Sequence, residues 1–287
     1  MKNFKEKGMK GVFFVAACTS VLAVALICIF LFANGVPAMA KIGVFKFLFG
    51  ETWRPSNDLY GILPMILGSI YVTLGSIILG VPVAILTSVF MARYCPKRIY
   101  RFLKSAIELM AGVPSIVYGF FGLVILVPFI RQVFFGQGNG SSMLTASILL
   151  AIMILPTVIG VSESAIRSVP QKYYEGALAL GATHERSVFF VVLPAAKSGL
   201  LAAVVLGIGR AIGETMAVIM VAGNQARIPT DIFKGARTMT ANIVLEMGYA
   251  AGLHKEALIA TGVVLFVFIL LINLALNLLK KGDEDGN

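Results

Sequence analysis

The chain has 287 residues, of which 58% are hydrophobic and 13% are charged, and its mean hydropathy is +0.90. Soluble domains are about 45–50% apolar and about 25% charged, so this composition excludes an ordinary soluble protein and indicates an integral membrane protein. The formal net charge of +10 is also typical of nucleic-acid binding. Basic residues of membrane proteins collect in cytoplasmic loops, however, and we expect no nucleic-acid partner.

Runs of about 20 apolar residues predict six transmembrane helices, because a helix satisfies its own backbone polar groups where lipid cannot. The predicted spans are 11–33, 66–91, 109–131, 143–162, 198–222 and 257–279. Pro114 in the third span and Pro156 in the fourth predict kinks. The expected fold is therefore all-α.

The first span defines an N-terminal part of the chain, residues 1–65, with a tail, one helix and an extracytoplasmic loop. Residues 66–279 would form a five-helix transmembrane domain, and 280–287 a cytoplasmic tail. A cleaved signal peptide is the alternative for the first span, because lysines precede it and Ala-Met-Ala at 38–40 resembles a cleavage site. Its apolar run of about 23 residues exceeds the 7–15 of a signal peptide, which favours a retained helix.

The distribution of lysine and arginine predicts the orientation. With the N-terminus inside, the inner segments carry 15 basic residues and the outer segments carry 8. Short cytoplasmic loops are enriched in lysine and arginine, so we expect both termini in the cytoplasm. The remaining basic residue, Arg210, belongs to no loop.

Cysteine and histidine give no sign of a catalytic or metal site. Cys18, Cys28 and Cys95 have neither a disulfide nor a metal-ligand spacing. His184 and His254 fall in predicted polar loops, outside the membrane. We therefore expect no metal, no cofactor and no enzymatic activity in this chain.

The fifth predicted span contains two opposite charges, Arg210 and Glu214, in the stretch GIGRAIGETMAV (207–218). An arginine at the centre of a membrane helix costs about 2.5–3.5 kcal/mol on insertion scales, so something must offset it. Glu214 is one helical turn further on, within reach for an ion pair. Gly209 and Gly213 form a small-xxx-small pair that would let another helix pack closely.

Two interpretations of this charged pair remain open. In the first, the pair neutralises itself and locks two helices together. In the second, Arg210 meets a permeating anion or its gate, because a guanidinium can donate two parallel hydrogen bonds to an oxyanion. Glu214 would then hold the guanidinium in place rather than bind the anion, which it would repel.

The loop between the fourth and fifth spans, 168–194, has local structure of its own. Ser168 and Gln171 match a capping box at the start of a short helix. Gly181 would end that helix, and Thr183 would cap a second one. The prediction is two short helices with a glycine corner on the cytoplasmic surface.

The same loop resembles the EAA motif of ABC-importer permeases. The matching positions are Glu175, Ala177, Gly181, Val191, Leu193 and Pro194, with Gly176 and Val191 replacing the usual alanine and isoleucine. In that family the loop is the coupling helix, which docks into a cleft of the ATPase. The resemblance implies that Glu175, Ala177 and Gly181 are coupling residues and that 66–279 is a type I ABC transmembrane domain.

Three further stretches, 47–55, 111–123 and 207–218, resemble the C-type permease of high-affinity phosphate importers. This resemblance implies phosphate as substrate and three partners: an A-type permease subunit, an ATPase dimer and an extracytoplasmic phosphate-binding protein. The outer loops 34–60 and 224–256 would be the docking surface for that binding protein. Alternatives are another oxyanion, molybdate or sulfate, or an ATP-independent anion channel.

A G-x-x-x-x-G-K-[ST] phosphate loop occurs nowhere in the sequence. This chain should therefore not bind ATP by itself, and an active importer built from it needs a separate ATPase. The expected role is half of a translocation path in the cell membrane, driven by a partner subunit.

Overall fold

The computed structural model describes residues 2–134 and 140–284, with side chains described for 9–134 and 140–275. Fourteen α-helices are present in these ranges: α1 Lys2–Ile42, α2 Val44–Phe49, α3 Leu63–Val89, α4 Lys97–Gly112, α5 Ser115–Phe121, α6 Val127–Val133, α7 Met143–Ser168, α8 Gln171–Ala179, α9 His184–Ser187, α10 Leu193–Ala195, α11 Lys197–Gly213, α12 Met216–Val221, α13 Met239–Met247 and α14 Gly252–Glu284. Short π-helical segments, Phe90–Tyr94, Gly122–Leu126 and Val188–Val192, continue α3, α5 and α9. One antiparallel hairpin pairs β1, Trp53–Arg54, with β2, Leu59–Tyr60.

Within the described residues, five helical segments are long and apolar enough to cross a membrane. A sixth is obtained if α11 is joined to the helical segment before it, across a bend of 69°. The predicted membrane-spanning, all-helical architecture is confirmed. Most spans extend beyond their predicted limits: α1 reaches Ile42, and α7 continues to Ser168 rather than ending at 162. Of the predicted tail, α14 covers the backbone to Glu284, and 285–287 lie outside the described residues.

The third predicted span, 109–131, begins in the wrong place. The chain is extended at Val113 and Pro114, and the spanning helix begins at Ser115. Proline disfavours helical backbone at the residue before it, which explains the break. The residues before it form a separate amphipathic helix, α4. The last turn of α4 is apolar, so the sequence prediction included it in the span.

The fifth predicted span, 198–222, is also wrong as one continuous helix. Helix α11 ends at Gly213, and Glu214 is extended, with φ −68° and ψ 134°. The chain then re-enters a short helix, α12, at Met216. A glycine at the last helical position favours this break, because glycine is a poor helix former.

The centre of the bundle is built from α3, α7 and α11. Where α11 meets α7, its facing residues are small. A Cβ added to Gly199 would lie 2.4 Å from the Ala165 side chain, and one added to Gly207 would lie 2.7 Å from that of Val158. Ala203 and Ala211, which complete this row at intervals of four residues, are buried. Small residues at this spacing let two helices approach closely. Helix α1 lies outside this centre and packs on α14.

The close contact of α7 and α11 predicts that Gly207→Val destabilises the chain, while Gly209→Val does not. Both substitutions carry the same helix-propensity cost, but only a side chain at 207 collides with Val158; one at 209 has nothing within 4 Å. Overpacking of this kind costs about 1–3 kcal/mol. Unfolding of the purified chain in mixed micelles, titrated with sodium dodecyl sulfate, measures the difference. Equal losses for both variants would contradict the assigned packing face.

Candidate functional site

Arg210 is half-buried on α11 and faces α7. Its Nη1 donates a hydrogen bond to Oγ1 of Thr157, at 3.0 Å. Thr157 follows the buried Pro156 within α7. Among the described residues, no carboxylate forms an ion pair with this guanidinium. A positive charge is therefore held inside the bundle by a neutral hydroxyl, with donor groups left over for another acceptor.

The predicted ion pair between Arg210 and Glu214 is wrong. Glu214 lies beyond the end of α11, and its Oε1 accepts hydrogen bonds from the backbone N–H groups of Thr215, at 3.0 Å, and Ala217, at 3.2 Å. The carboxylate therefore satisfies the free N–H groups at the start of α12, where the helix dipole also favours a negative charge. It holds the helix break rather than the guanidinium.

The break between α11 and α12 is also held by a neighbouring helix, α13. The Thr240 hydroxyl donates a hydrogen bond to the Glu214 backbone carbonyl, at 3.1 Å. Irregular backbone at membrane depth is tolerated only where protein buries it or where it lines a cavity. The break is thus stabilised by its own carboxylate and by a neighbouring element.

Gly209 and Gly213, predicted as a helix-packing pair, contact no other part of the described chain. A Cβ on either residue would meet no atom within 4 Å. The row that packs on α7 contains Gly199 and Gly207 instead, on another side of α11. Packing of Gly209 and Gly213 against a partner subunit stays a prediction.

The loop 168–194 forms the two predicted short helices, α8 and α9, and the glycine corner. Gly181 has φ +84°, its N–H bonds the Leu178 carbonyl at 2.9 Å, and the Ala182 N–H bonds the Ala177 carbonyl at 3.1 Å. This pair of hydrogen bonds is a Schellman motif, which needs a left-handed residue at the glycine position. Thr183 accepts from the Arg186 N–H and caps α9, as predicted.

The predicted capping box at Ser168 and Gln171 is wrong. The Ser168 hydroxyl donates to the Ser164 carbonyl at 2.7 Å, and Pro170 occupies the N-cap of α8 without a side-chain cap. The structure places Glu175 exposed on α8 and Ala177 half-buried on the same helix. Leu180, at the end of α8, is 91% exposed. The corner therefore presents apolar and acidic side chains outward together.

A buried carboxylate on α7, Glu163, is a feature that the sequence reasoning missed. It is bonded by Lys104 of α4, at 3.3 Å, and by Arg167 one turn along α7, at 2.8 Å. Arg167 also donates to the Met91 carbonyl and lies over the Tyr100 ring, 4.7 Å from its centroid. Hydrogen bonding to the Glu163 carboxylate is the main cause that raises the pKa of the Tyr100 hydroxyl. The spacing of Glu163 and Arg167 was the available signal, but it fell just beyond the predicted end of the span.

A second buried acidic residue, Glu246 of α13, connects segments that are distant in the sequence. It accepts hydrogen bonds from Trp53, at 2.8 Å, and Arg237, at 2.6 Å, and its Oε2 lies 2.9 Å from Nε2 of His254. The sequence reasoning placed His254 in a loop, but it lies in the first turn of α14 and is largely buried. The segments 34–60 and 224–256, predicted as outer loops, are therefore joined into one structured surface.

The described residues contain no candidate metal-binding site. No group of three or more histidine, cysteine, aspartate or glutamate residues there could hold a metal ion. Cys18, Cys28 and Cys95 are free thiols.

Comparison with known proteins identifies the class. The model of the family described as "Binding-protein-dependent transport system inner membrane component" matches residues 84–282, and this chain belongs to that family. Members of this family are inner-membrane components of transport systems, and this chain is accordingly a multi-pass, non-enzymatic permease subunit.

Curated relatives resemble the chain over most of its length. The probable ABC transporter permease protein YqgH of Bacillus subtilis is 41% identical, over 94% of this chain and 91% of the relative. The phosphate transport system permease protein PstC of Mesorhizobium japonicum is 36% identical, over 86% of this chain and 81% of the relative. PstC 2 of Mycobacterium tuberculosis is 33% identical, over 94% and 90%.

Solved structures share the fold. The inward-facing methionine ABC transporter MetNI superposes with a TM-score of 0.62 at 19% identity, over 80% of this chain and 99% of that chain. A bacterial alginate ABC transporter gives a TM-score of 0.61 at 15% identity, over 93% and 95%. The predicted type I ABC-importer permease fold is thereby confirmed.

The buried position of Glu163 predicts that Glu163→Gln destabilises the chain by about 2 kcal/mol. Breaking a fully buried pair costs about 3–5 kcal/mol, and the loss here is smaller because Lys104 and Arg167 are 35% and 45% exposed. The measurement is the free energy of unfolding in mixed micelles. Glu108→Gln, at an exposed position of α4, is the matched control and should change it by less than about 0.5 kcal/mol. Similar values for the two variants would show that the Glu163 contacts contribute nothing to stability.

Proposed function

We propose that this chain is the C-type permease subunit of an ATP-driven importer of inorganic phosphate and forms half of its translocation path. The observation that carries the proposal is the guanidinium of Arg210, held within the bundle without a carboxylate partner among the described residues. The names of the relatives from Mesorhizobium japonicum and Mycobacterium tuberculosis support phosphate as the substrate class.

The surroundings of Arg210 suit a transient phosphate. Oxyanions take parallel hydrogen bonds from a guanidinium, and the Thr157 hydroxyl can donate to the same anion once it is released from Arg210. Glu214 would repel phosphate if its carboxylate faced the anion, but its Oε1 is turned towards the backbone N–H groups of Thr215 and Ala217 at the start of α12. A site with one fixed charge and neutral donors binds an anion weakly enough to release it, which transport requires.

The proposed coupling to ATP hydrolysis uses α8 and the glycine corner. In this proposal Glu175, Ala177 and Gly181 position the helix that docks on a partner ATPase dimer. The exposed Leu180 side chain supplies apolar surface for that contact. Closure of the ATPase would move α8, and the chain continues directly from α8 through α9 and α10 into α11, which carries Arg210.

The remaining parts of the proposal concern partners and orientation. The second half of the path would come from an A-type permease subunit, and phosphate would be delivered by an extracytoplasmic binding protein. The outer surface joined by Glu246 is the natural docking face for that protein, because its loops are fixed before binding. Both termini would lie in the cytoplasm, as the distribution of basic residues favours.

The role of Arg210 predicts that Arg210→Gln lowers phosphate uptake at least about a hundredfold. Loss of one charged hydrogen-bonding group from a desolvated site costs about 3 kcal/mol or more. Uptake of labelled phosphate by the reconstituted importer measures the effect, with labelled molybdate and sulfate as competing substrates. Arg210→Lys should recover only part of the activity, because an ammonium lacks the planar fork.

Assembly distinguishes this proposal from the packing interpretation of Arg210. We expect Arg210→Gln to leave the yield of the assembled complex, and its basal ATP hydrolysis, close to the wild-type values. Equal loss of assembly and uptake would favour a structural role. Uptake of molybdate or sulfate in preference to phosphate would assign the importer to another oxyanion.

The glycine corner predicts that Gly181→Ala weakens coupling, whereas Gly176→Ala does not. Alanine at φ +84° costs about 1–2 kcal/mol, so the corner between α8 and α9 would shift. Gly176 lies in the exposed helix α8 with open space around it, and alanine there restores the usual residue of the EAA motif. The readouts are co-purification of the ATPase and phosphate uptake per ATP hydrolysed. Unchanged coupling in Gly181→Ala and in Glu175→Lys would contradict the assignment of this loop.

A further inference from the structure

Helix α4 lies between two membrane spans, and its side chains divide into three sectors. At 100° per residue, one sector contains Tyr100, Leu103 and Ile107, which pack against the hydrophobic core. This sector fixes the helix to the bundle. The residues named below for the other two sectors are exposed, whereas those of the first sector are half-buried.

The second sector is apolar and exposed. Phe102 and Leu109 are each 74% exposed, and Ile99 is 48% exposed. Ile99 and Phe102 are one turn apart, and Leu109 lies two turns beyond Phe102 on the same side of the helix. Apolar groups of this size on a helix that connects two spans face the acyl chains of the adjoining leaflet.

The third sector is charged and predominantly basic. It contains Lys97, Arg98 and Arg101, with Glu108 as its acidic member, and all four are exposed. Within the described residues, no carboxylate forms an ion pair with any of the three basic side chains. This sector borders the apolar one, since Arg98 and Phe102 are four residues apart on adjoining sides of the helix.

The level of α4 relative to the membrane is set by its neighbours. The spans on either side of it end at Tyr94 and begin at Ser115, so α4 lies where the chain leaves and re-enters the membrane. Lys104 reaches Glu163 near the end of α7, and Arg93 reaches Gln171 at the start of α8, 3.5 Å away. Helix α4 therefore lies on the same side of the membrane as the coupling loop.

We propose that α4 is an interfacial helix that binds anionic phospholipid headgroups through Arg98 and Arg101 while Phe102 and Leu109 enter the acyl-chain region. An arrangement of protein-facing, lipid-facing and basic water-facing sectors is what a helix in the plane of the interface requires. Juxtamembrane basic residues attract anionic lipids by about a fivefold factor each. The proposal is independent of the transported substrate.

The test places a fluorophore at Phe102→Cys in the complete permease–ATPase complex, reconstituted in nanodiscs. The native thiols are removed by Cys18→Ala, Cys28→Ala and Cys95→Ala. Quenching is compared between brominated phosphatidylglycerol and brominated phosphatidylcholine at equal mole fraction, and with aqueous iodide. We expect quenching by lipid rather than by iodide, with a local preference for phosphatidylglycerol of about fivefold or more.

Charge variants of α4 establish which residues cause the preference. Arg98→Gln combined with Arg101→Gln should bring the preference close to one, and Glu108→Lys should increase it. Because all three positions are exposed, the variants should assemble normally, and co-purification of the ATPase checks this. A label at Phe120→Cys, an exposed position within a span, is the control and should show no headgroup preference.

Three results would overturn the proposal. Strong quenching by iodide at residue 102 would place α4 in water, away from lipid. Protection from both iodide and lipid quenchers would mean that a partner protein covers this surface. A phosphatidylglycerol preference that survives Arg98→Gln with Arg101→Gln would mean that the basic sector of α4 does not bind the headgroups.

Discussion

The hydrogen bond from Arg210 to Thr157 is the interaction around which the centre of this permease is organised. A guanidinium within a membrane bundle must find acceptors inside the protein, because lipid provides none. The close approach of α7 and α11 at Gly207 allows the two side chains to meet. The packing row and the polar contact therefore depend on each other: bulky residues in the row would separate the helices and leave the charge without its acceptor.

Glu214 shows why proximity in sequence did not identify the partner of that charge. An i,i+4 ion pair stabilises a helix by about 0.2–0.5 kcal/mol, whereas capping a helix N-terminus is worth about 1 kcal/mol. Because the helix ends at Gly213, the Glu214 carboxylate binds the free N–H groups at the start of α12 instead of the Arg210 guanidinium. The sequence does contain the elements of this break, a glycine followed by an acidic residue and a threonine, but the pattern is equally compatible with an uninterrupted helix.

Features that depend on local chemistry could be predicted, and features that depend on which helices meet could not. Hydropathy located the spans, and the glycine corner at Gly181 and the cap at Thr183 followed from backbone preferences of single residues. The contrast between Gly207, where a Cβ would collide with α7, and Gly209, where a Cβ would meet no described residue within 4 Å, depends on the neighbouring helix. Glu163 was missed for the same reason, since its partner Lys104 lies 59 residues away on α4.

Helix α7 connects the two polar centres of the bundle and so constrains how movement can pass between them. Thr157 and Glu163 are six residues apart on this helix, a rise of about 9 Å. Glu163 ties α7 to α4 close to the coupling loop, while Thr157 contacts α11. A movement that carries α7 and α11 together leaves the bond to Arg210 intact, whereas sliding of one helix along the other breaks it and frees the guanidinium. The close-packed row of small residues between the two helices opposes that sliding. In the proposed mechanism, the force that releases Arg210 would act at the ends of α7 and α11, which the loop 168–194 joins.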